Sequence, residues 1–183
     1  MKQKLNIHSI SNWHDINWLY CQNQVIHYQN EIIVAFNENN IGKVKQLQHN
    51  LCNSFAARAI AVRTVTTHQG KKTAGIDKQV WLTAFQKWKN VLDIKNIENY
   101  KAKAVRRVWI YKDGKPVKPN KMNGTPLGIP TMRDRAIQTL YNLALAPIAE
   151  CTGDTHSFGF RRYRSCKDAI AMLHIRLSNR HRP

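Results

Sequence analysis

The chain has 183 residues, 43% of them hydrophobic, with a formal net charge of +18 and a pI of about 10.1. That length and apolar content exclude wholesale disorder and suit one domain, or two small lobes, with a real core. No apolar run approaches the roughly 20 residues of a spanning helix, and Met1-Lys-Gln-Lys-Leu5 lacks a signal-peptide core, so no membrane partner is expected.

Residues 1–15 are polar and read as a loose N-terminus. From about Ile16 to Phe36 apolar residues recur at Trp18, Val25, Ile32 and Phe36, the spacing of an amphipathic helix. Asn39-Asn40 breaks it, and a second helix is expected from about Ile41 to Val62, through Val44, Leu47, Leu51 and Phe55. Thr64 to Ile76 is a loop rich in Gly, Thr and Lys, without the spacing of a nucleotide triphosphatase loop. Asp77 is expected to cap a helix carrying Trp81, Ala84, Phe85, Trp88 and Leu92 on one side. Those tryptophans read as core, with base stacking the alternative.

A strand follows at Val105–Tyr111, with Arg107, Trp109 and Tyr111 on one face and Arg106, Val108 and Ile110 on the other. Asp113-Gly114 is a strong hairpin signal, and residues 115–124 read as a basic loop. Pro126-Leu-Gly-Ile-Pro130 leads into Thr131-Met-Arg-Asp134, the pattern of a capping box. The helix it opens continues through Ile137, Leu140, Ala144 and Ile148, with Pro147 expected to kink or end it. Ser157 to Arg164 is a turn dense in arginine and aromatics. Phe158, Phe160 and Tyr163 could anchor that turn or stack on bases. Ser165-Cys-Lys-Asp168 opens a last helix whose buried stripe would be Ile170, Leu173 and Leu177.

The charge is uneven. Residues 1–57 hold four lysines and three acids, a net of +1, and residues 58–183 hold 25 Lys/Arg and eight acids, a net of +17. Three cationic clusters stand at structural edges: Arg58, Arg63, Lys71 and Lys72; then Arg106, Arg107 and Lys112, extended by Lys115, Lys118 and Lys121; then Arg133, Arg135, Arg161, Arg162 and Arg164. Arg133 and Arg135 oppose the dipole of the helix they open, a placement more easily tolerated against an anion or a buried carboxylate. A polyanion is the economical partner for such a pattern. Cys21, Cys52, Cys151 and Cys166 form no C-x-x-C pair and the histidines no ligand cluster, so free thiols, no metal and no cofactor are expected.

The segments Arg106-Arg-Val-Trp-Ile110, Lys112, Pro126-Leu-Gly-Ile-Pro-Thr131, Asp134-Arg-Ala136 with Gln138, and Ser157-Phe-Gly-Phe-Arg161 followed by Arg164 and Asp168-Ala169 resemble the first two conserved blocks of group II intron reverse transcriptases, or maturases. Ala61-Val-Arg63 and Gly70-Lys-Lys-Thr73 with Gly75-Ile-Asp77 resemble that family's N-terminal extension. The resemblance implies an α+β, mainly helical fold, with a helical extension over 16–104 and a fingers subdomain with a basic β-hairpin over 105–183. It implies binding of intron RNA in splicing and retrohoming by Arg58, Arg63, Lys71, Lys72, Arg106, Arg133, Arg135, Arg161, Arg162 and Arg164. It further implies nucleotide contacts from Lys112 and Arg107, with template, DNA primer and dNTP as further partners of a full-length enzyme. Thr125 stands where the family has arginine, Tyr111 and Arg162 where it has proline.

The family's catalytic carboxylates lie on a palm, where they hold Mg²⁺ beside the primer end. This chain has no Asp-Asp pair. No catalytic residue is assigned in it; activity would need Mg²⁺ and a palm and thumb supplied elsewhere, and the chain is expected to be a fragment, a split-gene half or a remnant. The alternative is a stand-alone RNA-binding splicing helper or ribonucleoprotein component; a basic structural adaptor is the remaining class. Abundant Asn, Ile and Lys point to an AT-rich genome, hence a plastid or mitochondrion, with the bacterial cytoplasm as the alternative.

Overall fold

The structure, a computed structural model, describes residues 12–95, 97–111 and 124–178. Within them lie α1 (Trp18–Asn37), α2 (Ile41–Asn53), α3 (Phe55–Thr67), α4 (Ala84–Asp93), β1 (Arg106–Tyr111), β2 (Gly124–Ile129), α5 (Met132–Thr152) and α6 (Cys166–Ser178). The fold is therefore mainly helical with one small antiparallel sheet. Among the described residues no helix is long and apolar enough to cross a membrane.

Each of the first five helices starts on a polar cap. Asn17, Asn40, Ser54, Thr83 and Thr131 accept from the backbone N–H of Tyr20, Lys43, Ala57, Gln86 and Asp134 respectively. Such caps satisfy donors that the helix itself leaves orphaned. The cap at Ser54 explains one departure from the periodic reading: the expected helix over 41–62 is two helices. Ser54 is extended (φ −69°, ψ 144°) and turns the chain between α2 and α3. The helix expected at Asp77 instead begins at Ala84. The Asp77 carboxylate accepts from the Gln79 N–H within a turn where Lys78 has φ 55°, and Thr83 with Gln86 makes the capping box. The basic loop is also shorter than expected, since α3 runs to Thr67 and Gln69–Lys72 form one 3-10 turn.

The core is built around α3, which packs on α1, α2, α4 and α5. Its Ala56, Ala57, Ala59, Ala61 and Val62 are all buried. A helix surrounded on every side needs small residues so that neighbours can approach closely. Ile32 from α1, Leu51 from α2 and Leu140 from α5 fill the interior. Trp81 is buried and Trp88 packs edge-on to Phe55 with ring centroids 6.0 Å apart, while Phe85 and Leu92 are exposed. Of residues 1–15, expected to be loose, 1–11 lie outside the described residues; within 12–15, Asn12 caps the turn Trp13–Asp15, and Trp13 meets Trp18 edge-on at 4.8 Å. Burial pushes the Cys21 and Cys52 thiols up to about 11.

Pro147 does not end α5, which continues to Thr152. The proline cannot donate to the carbonyl one turn back, at Leu143. The side chain of Gln29 in α1 supplies the missing donor, Nε2 to Leu143 O at 2.8 Å, and Gln48 Nε2 in α2 donates to the next carbonyl, Ala144 O, at 3.0 Å. Gln29→Ala is expected to destabilise the fold by about 1–3 kcal/mol, the cost of an unpaired buried carbonyl. In a Pro147→Ala background the same change should cost less, because an alanine there restores the backbone donor. A double-mutant cycle by urea unfolding checks this coupling.

The hairpin has the register Arg106↔Ile129 through Tyr111↔Gly124, with Trp109 opposite Pro126. A lone two-stranded sheet has no inner face to bury, and Trp109, Ile110 and Leu127 are exposed. The expected buried stripe of α6 is not buried: Ile170, Leu173 and Leu177 are 65%, 58% and 80% exposed. Helical periodicity reports amphipathicity, and among the described residues no element covers that face.

Candidate nucleic-acid interface

The loop after α3 is pinned to the start of α5 and to β1. Arg135 Nη1 donates to Gly70 O at 3.0 Å, Nη2 to Thr73 O at 2.6 Å and Nε to Pro130 O at 3.1 Å. Arg106 Nε donates to Ala74 O at 3.0 Å. Gly75 lies so close to the backbone that a Cβ there would sit 2.7 Å from Thr131 Cα. Burial lowers the pKa of Arg135, with Arg106 acting the same way and the Asp77 charge opposing. These contacts present Lys71 and Lys72, both exposed, beside the exposed arginines of β1, Arg106 and Arg107. Lys71 and Lys72 thus stand on a backbone fixed from two sides, with Arg106 on the strand face that meets this loop and Arg107 on the opposite one.

Beneath it the α5 cap is a buried network. Thr131 is 0% and Asp134 4% exposed. Asp134 Oδ2 accepts from the Thr131 hydroxyl at 2.5 Å and its N–H at 3.3 Å, and Oδ1 accepts from the Tyr100 hydroxyl at 2.9 Å. Burial pulls the Asp134 pKa up, but the hydrogen bonds from Thr131 and Tyr100 outweigh it and hold the carboxyl below its ordinary value.

Most of the other candidates make contacts within the fold. Arg58 is 8% exposed, and its Nη1 donates to Val91 O at 3.2 Å at the end of α4; burial lowers its pKa. Arg63 lies over the Trp18 ring at 4.6 Å. Arg133 donates to Asp93 O at 3.2 Å and lies over Tyr100 at 5.3 Å. Arg161 pairs with Glu150 at 2.6 Å and also reaches the carbonyls of Asp154 and Ser157; the same pairing holds the Glu150 carboxyl below its ordinary range. Arg164 donates to Thr155 O at 2.6 Å and lies over Phe158 at 5.7 Å. Phe158 thus anchors the turn, while Phe160 and Tyr163, with φ 59° and 60°, are fully exposed. Arg162 is exposed beside a groove between α1 and α5.

The three sequence clusters therefore separate. The loop carrying Lys71 and Lys72 meets Arg106 and Arg135 at the N-terminal end of α5, and Arg161, Arg162 and Arg164 stand at its C-terminal end, about 30 Å away at 1.5 Å per residue. Lys112, Lys115, Lys118 and Lys121 lie outside the described residues, as does the Asp113-Gly114 turn. Sequence reasoning missed Lys78, Lys89 and Lys103, which line a common cavity with Arg133. They are distant in the chain, and no local pattern could have joined them.

Residues 13–94 match the family described as the N-terminal domain of reverse transcriptase. Protein YkfC of Escherichia coli is 36% identical over 81 residues, 44% of this chain and 19% of that protein. The group II intron-encoded protein LtrA of Lactococcus lactis is 31% identical over 115 residues, 62% of this chain and 18% of that protein. The chain spans about a fifth of the length of these curated relatives. The Gly70–Asp77 motif that the family resemblance rests on is the segment pinned to the hairpin and to α5, so match and geometry meet at one place: over residues 13–94 the chain is similar to the N-terminal domain of reverse transcriptase, and over 115 residues it is similar to a group II intron-encoded protein.

Proposed function

We infer that this chain binds structured RNA, group II intron RNA in particular, through Lys71 and Lys72 of the pinned loop and Arg106 and Arg107 of the adjoining hairpin. The observation that carries this reading is the pinning of the basic loop. Lysine and arginine side chains on a fixed backbone neutralise phosphates without first ordering the loop. The name of the Lactococcus relative, a group II intron-encoded protein, supports intron RNA as the ligand and splicing and retrohoming as its setting. In a full-length enzyme the same residues would border the template, and Arg107, with Lys112, would meet the triphosphate of the incoming nucleotide. Polymerisation would draw its Mg²⁺ from palm carboxylates on the same or a separate polypeptide.

Four phosphate contacts predict that affinity for an intron RNA domain falls about 10²-fold between 50 and 200 mM salt. Replacing Lys71, Lys72 and Arg107 together by alanine should flatten that dependence, while Lys43→Ala with Lys45→Ala on α2 should leave it unchanged. Fluorescence anisotropy across a salt series decides. Equal losses from the two variants, or an affinity indifferent to salt, would refute the assignment.

A further inference from the structure

The chain holds a second cationic feature. A cavity of about 530 Å³ opens between the 77–81 segment, α4 and the first turn of α5. Lys78, Lys89, Lys103 and Arg133 line it, each from a different stretch of chain, together with Asp77 and Asp93. No ion pair among the described residues engages these four cations. Asp77 is turned to its own loop, accepting from the Gln79 N–H at 3.2 Å.

The inner wall is the Arg133 guanidinium. Its Nη2 is taken by Asp93 O and its face by Tyr100. Its Nε is buried without a hydrogen-bond partner, the one such side-chain atom found among the described residues. An orphaned, permanently charged donor is costly to bury, and the residue that carries it lines the cavity together with three lysines. Four cations against two carboxylates make the lining net positive, which suits an anion and disfavours a metal ion. A phosphate group has the charge and the acceptor oxygens to meet ammonium groups and a guanidinium at once.

We propose that this cavity seats a single phosphate group of the bound RNA, gripped by Lys78, Lys89 and Lys103 against Arg133. The proposal rests on the RNA-binding reading above and adds a site to it.

Two measurements on the full chain test it. In ¹⁵N-edited NMR, millimolar inorganic phosphate is expected to shift the Arg133 Nε–H resonance saturably, and Lys89→Gln with Lys103→Gln should abolish the shift. The same double variant should weaken RNA binding roughly 5–10-fold and lower the slope of log affinity against log salt by about one. An unmoved Arg133 resonance together with an unchanged slope overturns the proposal while leaving the loop and hairpin contacts standing. A shift with phosphate but an unchanged RNA slope also overturns it, leaving an anion site unrelated to RNA. If the wild-type chain binds no RNA, the loop and hairpin contacts fall; the phosphate titration then still decides whether the cavity takes the anion.

Discussion

Asp134→Ala is expected to cost about 3–5 kcal/mol and to be among the most damaging single changes available in the chain. The carboxylate accepts from three donors, the Thr131 hydroxyl, the Thr131 N–H and the Tyr100 hydroxyl. Thr131 has no exposed surface. Each donor left unpaired costs about 1–3 kcal/mol, offset where water can follow. Loss of the capping box adds about 1 kcal/mol, and Arg133 loses a nearby counter-charge. Urea unfolding should show a lower midpoint with an unchanged slope. Asp134→Asn keeps the shape but offers one acceptor oxygen fewer, and should fall between the two.

The effect also carries a pH signature. Because the folded-state pKa of Asp134 lies below its ordinary value, ionisation stabilises the fold. That contribution is fully present above the unfolded-state value, about 4, and is lost as pH falls through the folded-state value. The gap in stability between wild type and Asp134→Ala should therefore be constant from pH 7 to pH 5 and narrow below pH 4. A gap that stayed constant down to pH 3 would show that the carboxylate charge contributes nothing.

The second large effect is expected at Gly75. A methyl group there would lie 2.7 Å from Thr131 Cα, 2.8 Å from Thr131 N and 2.9 Å from the Pro130 carbonyl carbon. All three are backbone atoms and cannot rotate aside. Overpacking of this kind costs about 1–3 kcal/mol where the surroundings can shift. At this position the cheaper response is for the loop to leave its seat. Gly75→Ala is therefore expected to break the Arg135 contacts to Gly70 and Thr73, raise amide exchange over 69–77, and weaken RNA binding while the helical core stays folded. Gly70→Ala is the matched control, since its new methyl would meet only Arg135 Nη1 at 3.7 Å. If both variants bound RNA as wild type does, the pinned loop would have no part in recognition.

How much of this was legible depended on the range of the interaction that decides each feature. The Thr131–Asp134 cap is a local pattern, and the sequence shows it. So are the Asn39-Asn40 break and the Ser165–Asp168 pair. Ser54 was hidden because apolar spacing runs on through Leu51 and Phe55 as if no turn intervened. Pro147 misled because its remedy, Gln29, lies 114 residues from the Leu143 carbonyl it satisfies. Arg58 looked like a surface cation until the alanines beside it proved to be the signature of a helix enclosed on all sides. For the site, the cationic residue types were readable but their grouping was not. Arg135 and Arg106 turned out to hold the loop that displays Lys71 and Lys72, and the lysines of the phosphate cavity come together only through packing.

That division of labour among the cations bears on how the chain can drift. In A-rich genes an arginine codon AGA becomes the lysine codon AAA by one purine change. At Arg107 or Arg162, exposed and without carbonyl partners among the described residues, the exchange keeps the charge and alters little. At Arg135 the guanidinium fork reaches Gly70 and Thr73 together, and at Arg161 it grips Glu150 with two nitrogens. An ammonium can replace neither geometry. Mutational bias toward lysine should therefore stall at these forks, leaving arginine as a record of which cations are structural joints.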